Sequence, residues 1–255
     1  MELSLLKVEH LHKSFKGLHV LKDVSLAIGA GERHVIIGPN GAGKTTLFNC
    51  ITGTLPIDAG TVTVNGQKIS GLPAYTAVRV GMSRTFQKNN LFGSLTVEEN
   101  VQLAVNACKP HRFHFLKPLA RYTETVEETE SLLKQWDLWE RRSRVVNELS
   151  YGEQRLLEVL LALASKPKIL LLDEPTSGMS PAETVQTTKL IQRMPRSITL
   201  LVIEHDMEVV FSIADRITVL HHGEVFASDT PGNISGDERI KEIYFGGGTL
   251  QHAEA

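Results

Sequence analysis

The stretch that most constrains this chain is Gly38-Pro39-Asn40-Gly41-Ala42-Gly43-Lys44-Thr45, followed by Thr46. It is preceded by the short apolar run Val35 to Ile37, so a strand is expected to end in a glycine-rich turn. A helix is expected from Thr45 to Thr52, stopping at Gly53. Glycines at these spacings let the backbone wrap closely, so that successive N–H groups point inward as an anion nest. The helix that follows aims its positive end at the same place. In this pattern Lys44 reaches the outer phosphates of a bound nucleotide, and the Thr45 hydroxyl is placed for Mg²⁺.

Composition narrows the alternatives. The chain has 255 residues, 42% hydrophobic and 22% charged, with a net charge of -2, as in an ordinary globular protein. No run of lysine and arginine marks a nucleic-acid surface, so no nucleic-acid partner is expected. Cys50 and Cys108 form neither a disulfide framework nor a metal-ligand spacing. Met1 to Val8 does not read as a signal peptide. No apolar run reaches the roughly eighteen residues of a spanning helix. The richest stretch, Leu156 to Leu172, is broken by Glu158, Ser165, Lys166, Pro167 and Lys168. Work at a membrane would therefore need a partner that docks the chain there.

Strand patterns occur in two blocks. Lys7 to Leu11, Val20 to Ile28 and Thr61 to Val64, with the hairpin signal Asn65-Gly66, predict a small antiparallel region near the N-terminus. From about Lys88 to Lys166 leucine, glutamate, glutamine and lysine take over, which predicts a helical insertion. Within it, Thr123 to Trp136 has apolar residues too sparse and too widely spaced for a core helix. Strand patterns return at Ile169 to Leu172, Ser197 to Ile203 and Arg216 to Leu220, with a helix expected over Thr184 to Met194. Continuous apolar runs separated by a helix imply a parallel α/β core. The expected organisation is one domain over residues 1–250. Its catalytic α/β core takes 1–87 and 167–250, its helical lobe 88–166, and a tail 251–255.

Ile169-Leu-Leu-Leu-Asp173-Glu174-Pro175 supplies the second chemical element. An aspartate at the end of a buried strand can hold Mg²⁺. The adjacent glutamate can activate an attacking water. With the cradle upstream, the pair points to nucleotide hydrolysis.

The segment Leu149-Ser150-Tyr151-Gly152-Glu153-Gln154 resembles the signature motif of ATP-binding cassette ATPases, about twenty residues ahead of the acidic strand, where that family places it. It also reads as a helix start, with Ser150 as cap and Glu153 completing a capping box. Phe15, upstream of the cradle, matches the family's adenine-stacking aromatic, usually tyrosine. Gln87, in Arg84-Thr-Phe-Gln87, matches its glutamine loop, and His205, in Ile203-Glu-His205-Asp-Met207, its switch histidine. The resemblance spans about Leu6 to Gly246. Within the family the chain is most similar to branched-chain amino-acid importers, through Gly81 to Gln87, Leu95 to Asn100, Tyr151 and Ile243 to Gly246. Two departures stand out. Ser177-Gly-Met-Ser180 replaces a loop that usually ends in aspartate, and Glu153 stands where glutamine is usual.

The resemblance implies a P-loop NTPase fold with a parallel sheet, an N-terminal antiparallel β region and an inserted helical subdomain. It implies ATP and Mg²⁺ as cofactors. Gly38, Pro39, Asn40, Gly41, Ala42, Gly43, Lys44, Thr45 and Thr46 would hold the phosphates, with Phe15 on the adenine. Ser150, Gly152 and Glu153 would meet the γ-phosphate held by a second subunit. Thr45, Gln87 and Asp173 would serve the metal. Glu174, His205, Gln87 and Lys44 would carry catalysis. The implied partners are membrane permease subunits, a second cassette in a homodimer or heterodimer, and indirectly a solute-binding protein. The chain would sit peripherally on the cytoplasmic face of a bacterial inner membrane. The alternatives are cassettes for urea or short amides, for lipopolysaccharide export, or a soluble cassette ATPase.

Overall fold

A computed structural model describes residues 4–85, 91–109 and 122–245. The chain begins with β1 (Leu6–Phe15), β2 (Leu18–Ile28), β3 (Arg33–Ile37) and α1 (Lys44–Ile51). Then follow β4 (Ala59–Val64), β5 (Gln67–Lys68), α2 (Tyr75–Arg79), β6 (Met82–Arg84) and α3 (Val97–Ala107). Next come α4 (Thr123–Gln135), α5 (Tyr151–Leu163), β7 (Ile169–Asp173) and α6 (Pro181–Arg193). The chain closes with β8 (Thr199–Ile203), α7 (Met207–Ile213), β9 (Arg216–His221), β10 (Glu224–Asp229), α8 (Pro231–Gly236) and α9 (Glu238–Phe245). Packing divides it into two compact units, Met1–Val80 with Arg196–Ala255, and Gly81–Pro195.

In the first unit β1, β2, β4 and β5 form an antiparallel sheet in the order β2-β1-β4-β5, where the sequence predicts one. Alternation explains its face: Leu6, Val8 and Leu11 of β1 and Leu21, Val24, Leu26 and Ile28 of β2 are buried. Left-handed His10 and Asp23 mark irregularities where the register of β1 on β2 shifts. Asn65 and Gly66 both have positive φ and join β4 to β5 as a two-residue hairpin turn. Lys16-Gly17 and His222-Gly223 are built the same way, between β1 and β2 and between β9 and β10. The same unit pairs β3 in parallel with β8 and with β9, while β10 adds antiparallel to β9. Every residue of β3 and β8 is buried, the apolar runs Val35 to Ile37 and Leu200 to Ile203 as expected of central strands, together with the polar Arg33, His34 and Thr199. Cys50 is buried on α1, and burial raises its thiol pKa to about 11.

In the second unit β6 pairs in parallel with β7, whose five residues are all buried. Helix α3 packs on both α4 and α5, and α5 also packs on α6. Parallel pairing plus the antiparallel N-terminal sheet gives the α/β class expected. Two helices differ from the reading of the sequence. α4 is a packed helix whose buried side chains are Thr125, Thr129 and Leu133, so two threonines complete a stripe at four-residue spacing that an apolar count overlooks. α6 starts at Pro181, three residues before the predicted Thr184, because Ser180 caps it and Glu183 closes a capping box.

Candidate functional site

The cradle is built on the first unit. β3 delivers the chain to Gly38, and α1 begins at Lys44. A Cβ on Gly38 would collide with the Leu220 carbonyl oxygen, so only glycine allows that approach. Gly43 caps α1 in the left-handed conformation with φ 101° and brings no capping side chain. The first turn of α1 contains no acidic residue, so its own side chains do not neutralise its positive end. Pro39 O accepts from Ala42 N–H, and Ala42 O accepts from Gly223 N–H, which ties the loop to the β9–β10 turn. Buried Lys44 donates from Nζ to Gly38 O at 2.6 Å and to Pro39 O at 3.1 Å. Its ammonium therefore lies along the loop. Asn40, Gly41 and Thr45 are exposed, and Thr46 is half-buried.

Two further candidates belong to this unit. Phe15 ends β1, 42% exposed, with the Lys13 ammonium 5.3 Å from its ring centroid. An exposed ring face suits stacking on a base. His205 follows β8 with an exposed side chain, and its N–H donates to Glu204 Oε2 at 2.8 Å. Glu204 is fully buried and also accepts from Asp206 N–H at 3.4 Å. Asp206 then caps α7. The turn carrying His205 is thus braced by carboxylates on both sides. Sequence reading missed this bracing, although Glu204 and Asp206 flank the histidine directly.

The acidic pair belongs to the second unit. Asp173 ends β7 with no exposed surface, and its Oδ2 accepts from Arg84 Nη2 of β6 at 3.2 Å. Burial pushes the carboxyl above the ordinary aspartate range, with Arg84 opposing that shift and Glu174 reinforcing it. Its other oxygen, Oδ1, is buried and has no hydrogen-bond partner among the described residues. A buried carboxylate oxygen left without a donor is the acceptor a hard divalent cation takes, so Asp173 fits a Mg²⁺ role. Glu174 follows in the left-handed region, with φ 48°. Arg155 of α5, nearly fully buried, donates to the Asp173 carbonyl at 2.6 Å and the Glu174 carbonyl at 3.4 Å. It also pairs with Glu158 at 2.6 Å. Arg84 and Arg155 hold the acidic turn in place, yet neither was singled out from the sequence as a site residue. The available signals were a cation on the strand beside the acidic one and another one turn into the signature helix.

The signature helix α5 starts at Ser150, whose Oγ accepts from Glu153 N–H while Glu153 accepts from Ser150 N–H at 2.9 Å. Glu153 also pairs with Arg141. Its carboxylate is therefore committed to the cap and to that arginine. Tyr151 is about half exposed, and a Cβ on Gly178 would lie 3.2 Å from its ring. Gln87 lies outside the described residues.

Residues 21–177 match the model of the ABC transporter family, which is more than half of the chain. The chain belongs to that family. A branched-chain amino acid transport ATP-binding protein of Salmonella typhimurium, LivG, is 38% identical, over 96% of this chain and 99% of the relative. Its counterpart BraF from Pseudomonas aeruginosa is 36% identical over the same shares. The lipopolysaccharide export ATP-binding protein LptB of Haemophilus influenzae is 32% identical, over 96% of this chain and 98% of that protein. Among solved structures, the ADP conformation of an ATP-binding cassette of an ABC transporter superposes with a TM-score of 0.84 at 31% identity, covering 96% of this chain and 99% of that one. This ABC transporter ATPase domain therefore has relatives, matched over nearly their whole length, that are named for branched-chain amino acid transport and for lipopolysaccharide export. Among the described residues, no helix is long and apolar enough to cross a membrane.

Proposed function

We propose that the chain is the ATP-hydrolysing subunit of a branched-chain amino-acid importer, docked on membrane permease subunits at the cytoplasmic face of a bacterial inner membrane. One observation carries the ATPase reading. The start of α1 has a left-handed glycine cap, no acid in its first turn and the buried Lys44 ammonium lying along the loop, and Asp173 keeps an oxygen with no donor among the described residues. The substrate class is supported by the 38% and 36% identities, each spanning nearly the whole of both chains. The lipopolysaccharide-export relative supports the second reading, at lower identity.

In this reading the glycine loop of residues 38–43, Lys44 and Thr46 take the phosphates of ATP, and Phe15 stacks on the adenine. Thr45, Asp173 and Gln87 would hold Mg²⁺, which when bound would supply charge neutralisation on the phosphates. Glu174 takes the proton of the attacking water, with His205 and Gln87 orienting that water. Arg155 fixes the backbone from which Glu174 projects. Ser150 and Gly152 face the γ-phosphate bound by a second cassette, the same chain or a different one, with Glu153 maintaining their helix end. A dimeric post-hydrolysis cassette bound to ADP and Pi, 28% identical with a TM-score of 0.74, supports the pairing. A solute-binding protein delivers the amino acid to the permease.

The test is tagged Glu174→Gln, expressed in its native host, with membranes solubilised gently in ATP and Mg²⁺. ATP turnover is expected to fall at least about 100-fold with nucleotide binding retained. A multi-spanning permease that binds leucine-type substrates is expected to co-purify. A permease for lipid export would select the second reading, and wild-type turnover would remove Glu174 from its role.

A further inference from the structure

The anion site offered by the signature helix is already filled, from inside the same unit. Ser150 Oγ donates to Glu183 Oε1 at 2.9 Å. The Gly152 N–H faces the same carboxylate, and a Cβ on Gly152 would lie only 2.5 Å from that oxygen. The other oxygen, Oε2, accepts from Ser180 N–H at 2.9 Å and from Ser180 Oγ at 2.7 Å. These donors hold the Glu183 carboxyl below its ordinary range, the Ser180 N–H contributing most and the Ser150 hydroxyl after the two Ser180 groups. The contact lines a cleft of about 230 Å³, with Arg141 and Glu153 on another wall.

We infer that Glu183 is an internal stand-in for the γ-phosphate, occupying the donors of Ser150 and Gly152 until ATP on a second cassette displaces it. This deepens, and rests on, the reading of the signature helix as the site that meets a partner's ATP. The chemistry is competitive: a carboxylate and a phosphoryl oxygen are both anions seeking the same hydroxyl and N–H, and two like charges do not share them. Displacement is local, because Oε2 can stay on Ser180 and preserve the cap of α6 while only Oε1 gives up its partners. ADP brings no γ-phosphate to the site, so after hydrolysis Glu183 reclaims Ser150 and opposes the closed dimer. The device lowers apparent ATP affinity for dimer formation by the fraction of subunits whose signature site is free.

A purely structural Glu183 would cap α6 without affecting nucleotide-dependent assembly, and that difference is measurable. Dimerisation of Glu174→Gln is titrated with ATP by light scattering, in whichever pairing it forms, with itself or with the cassette that co-purifies with it. Adding Glu183→Gln, which keeps a carbonyl acceptor for Ser180 but no negative charge, is expected to lower the ATP midpoint about threefold or more. The same protein in ADP is expected to remain monomeric. Glu183→Asp, one methylene too short for Ser150 but long enough to cap α6, is expected to shift the midpoint in the same direction and serves if the glutamine variant folds poorly. An unchanged or raised midpoint overturns the inference, whatever happens to the melting temperature without nucleotide. If Glu174→Gln stays monomeric at saturating ATP, the dimer reading itself fails, and the inference with it.

Discussion

Two helix N-termini in this protein are built in opposite ways. The end of α1 has a left-handed glycine for a cap, no capping side chain and no acid in its first turn. The end of α5 has a serine cap and a closed capping box, and Glu183 reaches in from another helix. Both carry the same partial positive charge. At α1 no acid of the first turn answers that charge, so in the proposed function an anion bound there gains the full interaction. At α5 it is neutralised by the chain's own carboxylates, so an incoming anion gains only the difference. On the proposed reading, one fold carries two phosphate-facing helix ends, one a tight holder and the other a conditional one.

The contrast can be broken or sharpened by substitution. Lys44→Ala is expected to weaken ATP binding to the monomer about tenfold to a hundredfold, since it removes a charge-assisted donor from the bare end. Isothermal titration of the isolated chain measures it, and unchanged affinity would break the comparison at its stronger side. Gly38→Ala is expected to cost about 1–3 kcal/mol of stability, because its Cβ meets the Leu220 carbonyl. Urea unfolding without nucleotide checks this. A neutral result would mean that the loop shape does not depend on that close approach. Ser150→Ala is expected to cost about 1 kcal/mol by loss of a cap and to leave ATP affinity of the monomer unchanged. A drop in monomer affinity comparable to that of Lys44→Ala would erase the distinction between the two ends.

Much of the architecture could be read from residue order. Val35 to Ile37 and Ile169 to Leu172 are apolar at every position, and both lie in strands buried throughout. Asn65-Gly66 announced its hairpin because asparagine enters the left-handed region readily. Lys16-Gly17 and His222-Gly223 adopt the same turn, but lysine and histidine carry a weaker local preference, and the strand register has to impose it. Thr125 and Thr129 read as polar yet are buried against neighbouring helices, which is why α4 looked too poor to pack. The site shows the same division. Its contiguous parts, the cradle, the Asp173-Glu174 pair and the signature, were visible. The residues that hold or occupy them were not, because Arg84 meets Asp173, Arg155 meets Glu174 and Glu183 meets Ser150 only through tertiary structure.

The two cysteines offer a practical handle. Cys50 is buried with its thiol raised to about 11, so hardly any thiolate exists at neutral pH, whereas Cys108 beyond the end of α3 is exposed. A maleimide dye should therefore modify the unsubstituted protein once, at Cys108, and place its fluorophore in the Gly81–Pro195 unit alone.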